Sequence, residues 1–153
     1  MSELIKIETD QSVAQVIEKI QNRASDFDFI IRNIFNMADE FKNHGVEVQN
    51  DFEYYSIMLC NPQKAYESIT KKPLRGAALL PPKQVVVFKE NEKTVISYVA
   101  VEENDIKAIM PEDEMFQKGL ANSCSKIKEL IQLAGRVEVN APVFETEESL
   151  EYA

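Results

Sequence analysis

The stretch QVVVFKENEKTVISYVA, residues 84–100, holds two runs rich in β-branched and aromatic side chains, Gln84 to Phe88 and Thr94 to Ala100, joined by Glu90-Asn91-Glu92-Lys93. The run lengths and the polar turn between them predict a β-hairpin, and so a fold built on antiparallel pairing. Immediately upstream, FEYYSIML (52–59) has strand composition and runs through Cys60 into Asn61-Pro62. Proline ends a strand, asparagine is a favoured helix N-cap and proline a favoured first helical residue. A helix is therefore expected from Gln63 to about Thr70, with Ala65, Tyr66 and Ile69 turned inward and Lys71-Lys72-Pro73 closing it.

Near the N-terminus, Leu4 to Ile7 reads as a first strand ending at Thr9-Asp10. Ser12 and Gln15 have capping-box spacing, and Val13, Val16, Ile17 and Ile20 recur at helical intervals, so a helix should run to near Ala24. The alternation from Phe27 to Phe35 predicts a second strand. Residues 36–45 then place Met37, Ala38 and Phe41 on one helical face, with Gly45 where a left-handed cap belongs. Pro111 and Glu112-Asp113-Glu114 mark the start of a long last helix, whose stripe is Phe116, Leu120, Cys124, Ile127 and Ile131 and whose stop is Gly135. The expected fold is α+β, a two-layer sandwich in the order β-α-β-α-β-α-β-β-α, with a largely antiparallel sheet and helices on one face. Residues 1–135 make one domain. Residues 136–153, with one basic and five acidic side chains, read as a flexible acidic tail.

The chain has 153 residues, 44% of them hydrophobic, enough for a single core that needs no disulfide or structural metal. Seventeen basic against 26 acidic residues leave a net charge of -9, which argues against nucleic acid or an anionic membrane as partner. Two cysteines, Cys60 and Cys124, suit a reducing cytoplasm and cannot form a paired-cysteine metal site. The start MSELIKIETD lacks the basic-then-apolar order of a secretion signal, so a cytoplasmic location is expected.

Three segments, IMLCNPQKAYESI (57–69), ALLPPKQVVVF (78–88) and VISYVAV (95–101), resemble in order and spacing the pattern of the family called domain of unknown function 302. About residues 3 to 134 can be laid on it. The resemblance implies a TBP-like α+β fold and a homodimer, and it implies no activity. Many relatives carry Pro-Cys where this chain has Pro81-Pro82, which speaks against chemistry with two neighbouring thiols here.

Four residues make up the candidate ligand site: Cys60, Asn61, Arg75 and Lys83. Cys60 ends a strand just before a helix N-cap, where the positive helix end favours a thiolate; its plainer role is a small hydrophobe at a strand-to-helix corner. Residues 64–83 hold Lys64, Lys71, Lys72, Arg75 and Lys83 against Glu67 alone, a local +4. With the helix start at Asn61, this suggests a pocket for a small anion bounded by Asn61, Arg75 and Lys83. The plainer reading is solvated lysines at a helix C-terminus. His44 fits a helix end, Cys124 fits the core, and no metal site is nominated. Phosphate loops, Ser/His/Asp order and His-Glu-x-x-His are all absent from the sequence. No cofactor is named by any motif. The expectation is a homodimer that binds a small ligand or a protein partner without catalysis. The alternatives are a thiol-dependent redox module or enzyme using Cys60, and docking on a basic partner through Phe144, Leu150 and Tyr152 of the tail.

Overall fold

The structure is a computed structural model and describes residues 2–79 and 83–137. Five strands form one sheet in the order β1-β5-β4-β3-β2, every neighbouring pair antiparallel: β1 (Glu3–Thr9), β2 (Ile30–Asn36), β3 (Tyr54–Cys60), β4 (Gln84–Glu90) and β5 (Lys93–Ala100). The α+β sandwich expected from the sequence is the architecture found, although one short helix, residues 37–43, lies on the other face of the sheet rather than with the rest. The hairpin of β4 and β5 sits at its centre, with Val87 opposite Ile96 and Glu90 opposite Lys93. Its two turn residues, Asn91 and Glu92, have φ of 53° and 68°. A tight hairpin demands left-handed backbone at both positions; asparagine tolerates this, whereas Glu92 carries its cost.

One face of the sheet is covered by α1 (Val13–Arg23) and α6 (Glu114–Ala134). Ile5, Ile57, Leu59, Val85, Val87, Ile96 and Tyr98 point into this layer, against Val16 and Ile20 of α1 and Leu120, Ile127 and Ile131 of α6. Burying side chains of this size contributes roughly 1.5–3 kcal/mol each, so this layer carries the fold. The Ser12–Gln15 capping box is present. On the opposite face, α2 (Met37–Asn43) and the segment after it bring Phe41, Phe52, Tyr54 and Phe88 into a row with ring centroids 5.1–6.1 Å apart. Gly45 has φ of 80° and closes α2 as a left-handed cap. His44 stands exposed at that helix end, 3.5 Å from Glu40.

Several expectations are corrected. The second strand begins at Ile30 rather than Phe27, because a 3-10 turn at Ala24–Phe27 ends on left-handed Asp28, φ 68°. Two short helices interrupt the expected order: α4 (Arg75–Leu79) and α5 (Glu103–Ile109). The last helix starts at Glu114 rather than at Pro111, since Asp113 is its N-cap and accepts from the Phe116 amide. In α3 (Pro62–Lys71), Tyr66 is 70% and Ile69 39% exposed, so neither is buried as expected. The acidic tail beyond Val137, with Phe144, Leu150 and Tyr152, and the Pro81-Pro82 pair lie outside the described residues.

Gly135 ends α6 for a reason other than the expected stop. Its φ is -78°, an ordinary helical value, but a Cβ built there would lie 2.6 Å from Cγ2 of Ile7. The glycine lets the end of α6 approach β1. Gly135→Ala is expected to lower stability by about 1–2 kcal/mol through overpacking, read as a fall in melting temperature; an unchanged or raised value would contradict this packing argument.

Candidate functional site

At the end of β3 the chain turns into α3 through Asn61, whose side chain accepts from the Lys64 amide at 3.1 Å. Pro62 has no N–H, and the Ala65 amide bonds the Asn61 carbonyl at 2.9 Å. The first turn is therefore largely satisfied internally, and any attraction for anions has to come from side chains. α3 does not pack on the core; none of its residues is buried. Its Ala65 and Ile69 instead line a cavity of about 540 Å³ between the end of the sheet, α3, α4 and α6. That explains why Ile69 is exposed: the apolar stripe faces inward, but towards open space.

All four candidate residues, Cys60, Asn61, Arg75 and Lys83, line this cavity, and Lys64 and Lys71 of the basic cluster join them. Arg32 was not legible from sequence. The β2–β3 register slips between Ile31 and Asn33, so Arg32 falls at an irregularity that no period-two pattern announces, and it too lines the cavity. Five cationic side chains, Arg32, Lys64, Lys71, Arg75 and Lys83, thus face Glu67 alone. Glu67 accepts from Gln63 at 2.7 Å rather than pairing with a cation.

These cations are not equivalent. Arg75 is buried and forms a two-pronged pair with Asp113, Nε to Oδ2 at 2.7 Å and its second amino group to Oδ1 at 2.8 Å. Its remaining amino group donates to the Ser68 carbonyl at 3.1 Å, and the guanidinium sits 5.6 Å from the Phe116 ring centroid. Arg75 therefore braces the wall and has little charge left for a ligand. Among the described residues, Arg32, Lys64, Lys71 and Lys83 make no ion pair. Lys83 is the unusual one: only 7% exposed, with Nζ 5.2 Å from the centroid of Phe29. Burial pushes its ammonium below the ordinary lysine range; the Cys124 and Cys60 thiols oppose this, and Lys64 adds to it.

Cys60 is half-buried and Cys124 buried, both as free thiols. Among the described residues, no three His, Cys, Asp or Glu come together as metal ligands, and no helix is long and apolar enough to cross a membrane. A second concavity of about 600 Å³ lies between α4, α5 and α6, lined mainly by apolar side chains such as Leu74, Ile109 and Met110. With no cluster of titratable groups, it offers less chemistry than the basic cavity.

The model of one family, domain of unknown function DUF302, matches residues 5–132. No curated protein matches the chain. The crystal structure of an uncharacterized conserved DUF302 protein from Bacillus stearothermophilus is similar, with a TM-score of 0.61 and 17% identity, over 86% of this chain and 94% of that one. At that identity the likeness speaks for the fold alone.

The Arg75–Asp113 pair predicts a pH dependence. Hydrogen bonding from Arg75 holds the Asp113 carboxyl below a free aspartate's 3.8. A carboxyl depressed in the folded state adds stability above its unfolded pKa and loses it as pH falls through the folded value. Asp113→Ala should therefore cost about 2–3 kcal/mol near neutral pH by leaving Arg75 without its partner, and the deficit should shrink in acid below about pH 4. Urea unfolding of both proteins at several pH values checks this; a constant or vanishing deficit argues against the pair as a brace.

Proposed function

The chain belongs to the DUF302 family, and on the geometry of its basic cavity we propose that it is a cytoplasmic homodimer that binds a small anion, a carboxylate or phosphorylated metabolite, without catalysis. The observation that carries this reading is the charge inversion: apart from Arg75, which Asp113 neutralises, four cations against one carboxylate line one cavity of a chain whose net charge is -9. These four cations have no carboxylate partner among the described residues, so the cavity presents a positive surface to an entering anion. Asn61 and Ser68 supply neutral polar groups for orientation, and Ala65, Ile69 and Phe116 supply apolar surface. The dimer is supported by apolar side chains left exposed on the sheet, with Leu4 at 72%, Val99 at 50% and Phe35 at 45%. Free cysteines fit a reducing compartment.

Native mass spectrometry of the purified protein, beside a denatured sample, tests both parts. The expected result is a dimer with excess mass that denaturation removes, together with citrate binding that Lys83→Met weakens about tenfold, the loss of one charged contact. A monomer would refute the dimer, and citrate affinity unchanged in Lys83→Met would refute the pocket.

A second reading rests on Cys60 alone: a half-buried thiol at the end of β3, in the same cavity as the buried Lys83, would serve a thiol-dependent redox module or enzyme. This reading expects Cys60 to react with iodoacetamide at least about tenfold faster than free cysteine near neutral pH. A rate at or below that of the free thiol leaves Cys60 as part of the cavity wall.

A further inference from the structure

A buried lysine without a carboxylate partner is costly to keep charged, and relieving that cost makes its amine nucleophilic. Lys83 meets this description in a setting that also supplies a place for a reactant. Its side chain is 7% exposed, lies over Phe29, and borders the cavity of about 540 Å³. No carboxylate pairs with it among the described residues, while Asp113, the buried acid across the cavity wall, is committed to Arg75. The groups that act on its charge are the thiols of Cys124 on α6 and Cys60 on β3, and the ammonium of Lys64 on α3. Arg32, Lys64 and Lys71 stand around the same space with their charges unmatched. The lysine thus supplies a nucleophile in a low-dielectric site, and the surrounding cations would hold an anionic group beside it.

We propose that the cavity takes an anionic carbonyl compound, an oxo-carboxylate or an aldehyde phosphate, and that Lys83 captures it as an imine. The proposal rests on the anion-binding reading above and adds the functional group that the ligand must carry. In the step, the Nζ lone pair adds to the carbonyl carbon and a proton moves to the oxygen, giving a carbinolamine. Loss of one water then gives the imine. No electrons are gained or lost, and hydrolysis returns the same aldehyde or ketone. The Lys64 and Lys71 ammonium groups face the anionic end, leaving the carbonyl to the amine. Cys60 borders the same cavity, but its thiol is not needed for the balance.

The test is to incubate the full chain with glyoxylate at neutral pH, reduce with borohydride, and map the modified lysines by peptide mass spectrometry; citrate binding is measured separately by calorimetry. The expected result is labelling at Lys83 about tenfold above any exposed lysine, slowed by citrate and absent in Lys83→Met, a substitution close enough in volume to keep the fold. Citrate binding with Lys83 labelled no more than the surface lysines overturns the imine and leaves the anion pocket standing. Neither citrate binding nor preferential labelling overturns both. Preferential labelling that citrate does not slow overturns the anionic class of the substrate.

Discussion

The pair between Arg75 and Asp113 is the contact on which the site depends. α3 has no buried residue and α4 is only five residues long, too short to be stable alone. What holds this excursion between β3 and β4 against the body of the protein is a buried arginine. It grips the N-cap of α6 with two hydrogen bonds and the end of α3 through the Ser68 carbonyl. Asp113 also caps α6 through the Phe116 amide, so one carboxylate both starts the main core helix and anchors the cavity's far wall. Such a pair returns little net free energy once desolvation is counted. Its contribution is geometric: the guanidinium plane and the Phe116 ring beneath it set the distance between α3 and α6, and that distance is the width of the cavity.

With the wall braced, the remaining charges acquire meaning. A cluster of lysines in solvent is unremarkable, and the run from Lys64 to Lys83 could have been a solvated strip. The fold instead sets Lys64 and Lys71, both still exposed to solvent, at the border of the cavity and adds Arg32, also exposed, from an irregularity in β2. Lys72, the other member of the cluster, borders the second, apolar concavity. The basic segment is thus divided by the fold: Arg75 becomes structural, Lys72 leaves the site, and Lys83 is buried at its floor. Like charges gathered in one concavity make it locally positive in a chain of net charge -9, which is the basis of the proposed anion binding.

How much of this was legible in the sequence follows from the range of the forces involved. The β4–β5 hairpin, the Ser12–Gln15 box, the Asn61 cap and the Gly45 turn are set by neighbours a few residues apart, and reading them needed only spacing and residue type. Asn61, Cys60, Arg75 and Lys83 were picked from local signals and do meet in one cavity. The features missed are those with no local signature. The Arg75–Asp113 pair spans 38 residues. Arg32 reaches the cavity only because the register of β2 slips, and Phe29 meets Lys83 only once the last residues before β2 have been placed by a 3-10 turn. α4 and α5, at five and seven residues, are too short to show periodicity. Periodicity in α3 placed Ala65 and Ile69 on the correct face but not Tyr66, which is 70% exposed and outside the cavity lining, and it gave no account of what lay opposite, which is why Ile69 was expected in the core and lies at a cavity. Pro111 suits a helix start, but Asp113, two residues on, is the stronger one, because its carboxylate accepts from the Phe116 amide and proline has no side-chain acceptor with which to do so.

The position of Lys83 links the hairpin to the proposed imine chemistry. Lys83 immediately precedes β4, whose Val85 and Val87 are fully buried at the centre of the sheet. Its backbone is therefore tied to the most strongly specified part of the fold, and its side chain lies 7% exposed over the Phe29 ring. A lysine on a loose loop would escape to water and keep an ordinary amine. Here the hydrophobic pairing of β3, β4 and β5 holds the strand that keeps a lysine buried beside Phe29, and the stability of the sheet offsets the cost of that burial. The most local and most legible element in the sequence thus holds in place the least typical residue of the site.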